Sequence, residues 1–293
     1  MIDQVGRLLT YDFVQNAFAA GFVIAIVAGV VSRFVVARNM SFAVHALAEL
    51  GFTGATGFIL IGLSPVLGLL TGTVITALFI GTLGVRLRER DAVVGVVMAF
   101  GLGLGVLFIT LYPRYATEAF ALLFGTITGV SRGDVLLLLA IGIGSLVTLA
   151  VVYRPLMFAT VDPEVAEARG VPVRLLTVVF LLIMAAAVAE AVQVVGVLLI
   201  LTLLITPGAA AERLTVRPGR ATLFSVSIAL LCTIGGIFLS LATNAPVSVF
   251  VTTLSFAAYL AARFVVGPRL RETRPRYGAI EEGETANQLA GSG

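Results

Sequence analysis

Residues 11–40 read YDFVQNAFAAGFVIAIVAGVVSRFVVARNM. Between Val14 and Ala37 the only charged residue is Arg33. A helix needs about 20 mostly apolar residues to cross a bilayer core of about 30 Å, and this run is long enough. Eight more apolar runs follow, at 42–63, 66–85, 91–112, 134–153, 173–192, 194–211, 221–242 and 246–266. The run at 194–211 is short and follows the one before it almost without a break, so a merged or a broken helix is open there. Composition agrees with the runs: 59% of the chain is hydrophobic, 12% is charged, and mean hydropathy is +1.09. Soluble domains carry about 25% charged residues. The short alternating segments of a β-barrel are not seen. The fold class expected is all-α: a polytopic helical membrane protein of about eight to nine transmembrane helices.

All 19 basic residues are arginine. A phosphate-binding loop of the GxxxxGK[ST] type needs its lysine, so this chain cannot contain one. If transport is driven by ATP, another subunit supplies the ATPase. The single cysteine, Cys232, excludes an intrachain disulfide and a thiolate metal cluster, and is read as a small packing residue. The start, MIDQVGRLLTYDF, lacks the basic region and short apolar core of a cleaved signal peptide, so the first apolar helix is expected to stay. Arginine placement sets the orientation. With Arg33 and Arg38 in the cytoplasm, 16 of the 19 arginines fall inside, and only Arg7, Arg114 and Arg132 fall outside. The positive-inside bias then predicts an outer N-terminus and a cytoplasmic C-terminus.

Two connections differ from simple loops. Residues 114–133 hold an apolar piece, AFALLFGTITGV, that is too short to span and suits a re-entrant or interfacial segment on the outer side. Residues 160–174, TVDPEVAEARGVPVR, predict a short capped cytoplasmic helix: Asp162 as N-cap, Pro163 at the first helical position and Gly170 at the C-terminal cap. Such a helix has no core of its own and either docks onto something or merely ties two spans. Residues 1–266 read as one transmembrane domain. Residues 267–293 are polar, rich in Pro, Gly and Glu, and read as a disordered cytosolic tail.

The run at 42–63 begins in SFAVHALAEL, residues 41–50, which contains the chain's one histidine. His45 and Glu49 are four residues apart, so they share a helix face about 6 Å apart along the axis. Steps of four extend the row to Ser41, His45, Glu49 and Thr53, with Thr56 close by. Gly51, Gly54 and Gly57 would let a neighbouring helix approach closely. An intramembrane carboxylate costs a few kcal/mol on insertion scales, so it should face a cavity or a partner. Imidazole with carboxylate suits a borderline divalent ion such as Zn²⁺ or Mn²⁺. Two ligands make a weak site, as a conduction path requires. The alternative is a structural hydrogen bond between the two side chains. Weaker polar candidates are Glu190 and Gln193 at the outer end of the sixth run, Asn244 in an outer loop, and Asp134 at the outer start of the fifth; each could line an entrance, Glu190 and Asn244 above all, but each reads first as an interface residue in contact with water. Gly101, Gly103 and Gly105 read as close helix packing. No nucleophile elbow, HExxH or dinucleotide fingerprint occurs, and nothing points to nucleic acid.

From about residue 11 to 266 the chain resembles the permease subunits of the zinc/manganese/iron ABC importers, the ABC-3 type. Five stretches carry the resemblance in order: residues 11–40 with their arginine-methionine exit, RERDAVVGVVMAFGLGLGVLFIT, LLFGTITGVSRGD, DPEVAEARGVPV and VGVLLILTLLITPGAAAERL. The resemblance implies a dimeric permease in a bacterial plasma membrane. It also implies two cytosolic ATPase partners that bind the ATP, an extracytoplasmic metal-binding protein, and no permanently bound cofactor. It makes 162–170 a coupling helix seated on the ATPase, with Asp162, Glu164, Ala166, Arg169 and Gly170 as coupling residues. One departure stands out. Where the family has an Asp, then a His four later, then a Pro, this chain has His45, Glu49 and Thr53, so carboxylate and imidazole are swapped and a kink is not expected. The function expected is metal-ion import, zinc first and manganese second, with His45 and Glu49 as transient ligands or a selectivity gate. Three rivals stand beside it: an iron-chelate or cobalamin ABC permease, a stand-alone secondary metal or proton transporter, and an intramembrane enzyme or scaffold.

Overall fold

A computed structural model describes residues 11–83, 90–111, 132–197, 200–243 and 245–266. Among the described residues ten α-helices follow one another: α1 (Asp12–Ala37), α2 (Ser41–Leu60), α3 (Pro65–Leu83), α4 (Arg90–Leu111), α5 (Arg132–Val161), α6 (Pro163–Ala168), α7 (Val173–Val195), α8 (Ile200–Leu214), α9 (Pro218–Thr243) and α10 (Val247–Ala261), the last closing in a π turn at Ala262–Val266. No strand occurs among the described residues. Eight of these described helices (all but α6 and α8) are long and apolar enough to cross a membrane. The segment expected at the outer side, 114–133, and the tail at 267–293 lie outside the described residues except for Arg132 and Gly133.

Helices α1, α2 and α7 form the buried centre, while α4 and α5 turn most of their surface outward. Val96 and Phe100 of α4 and Val151 of α5 are exposed, as apolar side chains facing lipid would be. Helix α1 packs against α5, α7, α8 and α9, and α2 packs against α3 and α4. Lipid tails are as apolar as leucine, so burial alone does not hold such helices together; close packing and interhelical hydrogen bonds do. The contacts of α1 show both. A Cβ on Gly29 would stand 2.6 Å from Val226 Cα, so the backbones of α1 and α9 nearly touch. Ser225 Oγ donates to the Gly29 carbonyl at 2.6 Å, and the Gly208 N–H of α8 donates to Ser32 Oγ at 2.8 Å. Gly208 follows Pro207, which has no N–H to give. Ser32→Ala therefore leaves a buried N–H without that acceptor, and is expected to cost about 1–3 kcal/mol, read as a lower thermal midpoint in detergent.

Two boundaries differ from the sequence reading. The fifth run was expected to stop near Arg154, yet α5 continues through Pro155 to Val161. The extension is held by burial: Leu156 and Ala159 are enclosed, and Met157 and Thr160 meet arginines of α1. Between α7 and α8 the chain breaks. Gly196 sits at φ 86° and ψ 160°, a conformation essentially confined to glycine, so of the merged and broken forms left open for the run at 194–211 the structure has the broken one, with α7 running on to Val195.

The short helix α6 has both ends closed. Asp162 accepts from the Val165 N–H at 3.0 Å, and Pro163 occupies the first helical position. At the other end Gly170 lies at φ 81°, its N–H donates to the Glu167 carbonyl at 2.9 Å, and the Val171 N–H donates to the Ala166 carbonyl at 3.0 Å. These are the paired bonds of a Schellman cap. Contrary to the expectation that this segment finds no core, Ala166 is fully buried, and α6 rests against α5 and α7.

Candidate functional site

Helix α2 is continuous across Thr53, where the family pattern would place a proline. His45 and Glu49 face each other on it, with Nε2 3.1 Å from Oε1. They lie about 6 and 12 Å along the axis from the first residue of α2. Ala46, Leu47 and Ala48 between them are enclosed by the bundle, whereas the His45 side chain is 36% exposed and that of Glu49 is 18%. The pair thus occupies the accessible edge of a buried helix. The two groups are in hydrogen-bonding contact with each other, and an imidazole nitrogen and a carboxylate oxygen are both ligand types that borderline divalent ions accept. No group of three His, Cys, Asp or Glu able to hold a metal occurs among the described residues.

The rest of the polar row serves packing as well. Ser41 is half-buried one turn before His45. The Thr53 hydroxyl lies 2.7 Å from the Gly101 carbonyl of α4 and 3.1 Å from the Glu49 carbonyl. It has one proton to give, and the shorter bond ties α2 to α4. Thr56 is buried and donates to the Thr53 carbonyl at 3.0 Å. The glycine reading holds on α2: a Cβ on Gly51 would meet Thr73 Cγ2 at 2.7 Å, one on Gly54 would meet the Gly68 carbonyl, and one on Gly57 would meet Phe108. Of the α4 glycines, Gly101 and Gly105 are contact points, while a Cβ on Gly103 would meet nothing within 4 Å. Thr53→Val keeps the shape but loses the 2.7 Å bond to Gly101; the expected loss is about 0.6–2 kcal/mol, seen as a lower thermal midpoint.

Glu190 sits deeper than the sequence reading placed it. It is 1% exposed, its two carboxyl oxygens have no partner among the described residues, and a Cβ on Gly142 of α5 would be 3.5 Å from Oε1. Asn244 lies outside the described residues, as does the side chain of Gln193. Asp134 is half-buried at the start of α5, where Arg132 pairs with Asp12 of α1 at 3.0 Å. Asp162, Glu164, Ala166, Arg169 and Gly170 all belong to α6 and its caps, at the far end of α5 from that ion pair. Glu164 and Arg169 are exposed on it.

Arg33 and Arg38 served only as topology markers in the sequence. Arg33 is 7% exposed and its ring-plane contact with Phe34 measures 5.4 Å. Arg38 donates to Thr160 Oγ1 at 3.3 Å and to Thr177 Oγ1 at 2.9 Å. The signal available was their position: two arginines in the last turns of an apolar run must find partners inside the bundle or reach its surface.

The sequence profile of the ABC 3 transport family matches residues 10–266, which is nearly the whole helical bundle. The chain belongs to the ABC 3 transport family. Its relatives agree in length. It is 31% identical over 258 residues to the manganese transport system membrane protein MntC of Halalkalibacterium halodurans, covering 86% of this chain and 88% of that one. It is 27% identical over 271 residues to the manganese import system permease protein ScaB of Streptococcus parasanguinis, covering 92% and 96%. The structure of PsaBC from Streptococcus pneumoniae in complex with Fab superimposes with a TM-score of 0.82 at 24% identity, covering 94% of this ABC 3 chain and 100% of that one. The likeness to PsaBC concerns the fold.

Proposed function

We propose that this chain is the permease subunit of an ATP-driven importer of divalent transition metal ions, and that manganese is its first substrate and zinc its second. Family membership over residues 10–266 supports the importer. The names of two relatives, both given as manganese transport or import proteins, favour manganese over the zinc-first order drawn from the sequence. A carboxylate-imidazole pair accepts either ion, with harder oxygen ligands suiting Mn²⁺ somewhat better than thiolate sites would.

In this reading the ion, handed over by an extracytoplasmic binding protein, passes the edge of α2 and exchanges water for His45 Nε2 and a Glu49 oxygen. The 3.1 Å contact between the two side chains must open to admit it. Their mutual hydrogen bond holds both rotamers toward one spot before the ion arrives, which lowers the ordering cost of binding. Two ligands, with water completing the shell, hold an ion briefly enough to release it. Ser41 and Thr53 flank this route and Asn244 belongs to its outer approach, while Glu190, enclosed beside Gly142 of α5, joins it only when the helices around it part. Arginine placement supports an outer N-terminus and a cytoplasmic C-terminus. The capped helix α6 then faces the cytoplasm, where Asp162, Glu164, Ala166, Arg169 and Gly170 form the rigid knob received by the ATPase. ATP is hydrolysed on that partner, the permease works as a homodimer, and residues 267–293 form a cytosolic tail.

The observation that carries the proposal is the accessible His45–Glu49 pair on the centre helix of an ABC 3 chain. Its test is competitive Mn²⁺ and Zn²⁺ uptake in cells lacking their own importers and supplied with this permease, its ATPase and its binding protein. Uptake that needs all three, with Mn²⁺ preferred, is the expected result. Uptake by the permease alone would point to a secondary transporter, and ATP turnover stimulated only by a metal chelate would point to the chelate class.

A further inference from the structure

Helix α6 and the His45–Glu49 pair belong to different parts of the bundle, yet one side chain and one turn connect them. Helix α1 ends in a Schellman cap: Asn39 lies at φ 52°, its N–H donates to the Val36 carbonyl at 3.0 Å, and the Met40 N–H donates to the Val35 carbonyl at 2.8 Å. Met40 and Val35 are both buried, as the cap's apolar contact requires. Helix α2 begins at the next residue, so only three residues, Arg38, Asn39 and Met40, separate α1 from α2, and the N–H of each is bonded back into α1. A tilt of this end of α1 is therefore passed to α2, where His45 stands one turn in.

Arg38, the capping residue of α1, reaches the opposite way. Its two terminal nitrogens donate to Thr160 Oγ1 on α5 and Thr177 Oγ1 on α7, and its guanidinium lies 5.7 Å from the centre of the Phe180 ring. Each threonine hydroxyl donates its own proton back along its helix, Thr160 to the Leu156 carbonyl at 2.6 Å and Thr177 to the Val173 carbonyl at 2.9 Å. Both oxygens are thereby left as acceptors toward the guanidinium. Bonds from a charged donor are about twice as strong as neutral ones, and the planar fork fixes direction as well as distance. Thr160 and Thr177 bracket α6: one lies just before its cap at Asp162, the other in the first turns of α7 beyond it. Because α6 is closed at both ends and seats Ala166 in the bundle, it moves as a body with the ends of α5 and α7.

We propose that Arg38 is the positioning residue that carries a displacement of α6 to the His45–Glu49 pair, by clamping the α6-bearing ends of α5 and α7 to the turn that starts α2. This rests on the importer reading above, in which α6 is the element the ATPase moves. Arg38 touches no metal ion in this scheme; it sets where the pair stands as the ATPase cycles.

The test separates coupling from folding and from membrane topology. The double variant Thr160→Val/Thr177→Val leaves the Arg38 charge in place and removes both acceptors; Arg38→Lys keeps the charge and loses the fork. The complete transporter is placed in proteoliposomes, and Mn²⁺ taken up is divided by ATP hydrolysed. Both variants are expected to assemble and hydrolyse ATP within about twofold of wild type while uptake per ATP falls about tenfold. A wild-type ratio in either variant overturns the clamp. So does a parallel fall of uptake, hydrolysis and thermal midpoint, which would make the bonds structural only. A wild-type complex that takes up no metal with ATP overturns the importer reading and the clamp with it, so the two failures are distinguishable.

Discussion

Glu49→Gln in the assembled transporter is expected to lower manganese uptake about 100-fold, since even outer partners of metal ligands cost 10–100-fold when removed and Glu49 would be a direct ligand. The substitution is nearly isosteric. The amide can still meet His45 across the 3.1 Å gap, so α2 keeps its local structure. It also removes a formal charge from an apolar span, which insertion energetics favour. Expression and thermal midpoint should therefore hold or rise while uptake collapses. A structural hydrogen bond predicts the reverse pattern: transport nearly unchanged, because Gln replaces Glu as a partner of imidazole. Uptake and thermal midpoint measured on one preparation distinguish the two.

Gly54→Leu is expected to prevent a stable fold, with a cost of about 3 kcal/mol or more. At this position α2 crosses α3 glycine to glycine: an added Cβ would run into the Gly68 carbonyl and stand 2.9 Å from Gly72 Cα. Both obstacles are backbone, so the crossing itself must open. The neighbouring partners repeat the geometry, since a Cβ on Gly72 would meet the Leu50 carbonyl at 2.5 Å. The variant should appear as lost folded yield in mild detergent, with Gly54→Ala intermediate. Gly103→Ala supplies the control on α4, because a Cβ there meets nothing within 4 Å. Alanine is the better helix former by up to about 1 kcal/mol, so that change should be neutral or stabilising.

Local features of the sequence were legible because helix geometry is local. Apolar runs located the spanning helices, and the i,i+4 spacing placed His45 opposite Glu49, as the structure has them. Asp162, Pro163 and Gly170 marked the ends of α6 through capping chemistry that acts within four residues. What failed depended on neighbours. Arg154 and Pro155 read as the end of α5 in the sequence, whereas Leu156 and Ala159 are buried by other helices and prolong it. Glu190 was expected near water because it lies toward the end of a run, but α1 and α5 close over it. Thr53 shares a face with the pair by periodicity, yet its hydroxyl is taken by a carbonyl of α4, a helix 48 residues further on. Arg38 read as a charge at a membrane edge; that it grips two threonines more than 120 residues away is a property of the assembled bundle.

Contact between the transported ion and the α2 pair is directly measurable, because the chain has a single histidine. Permease produced with ¹⁵N-histidine and loaded with Mn²⁺ can be read by pulsed electron paramagnetic resonance. A nitrogen-15 coupling to the bound Mn²⁺ is expected in the wild type, and its disappearance in His45→Gln. Specifically bound, transport-competent Mn²⁺ with no nitrogen-15 coupling in the wild type would place the ion away from His45 and rule out the α2 pair as its ligand site.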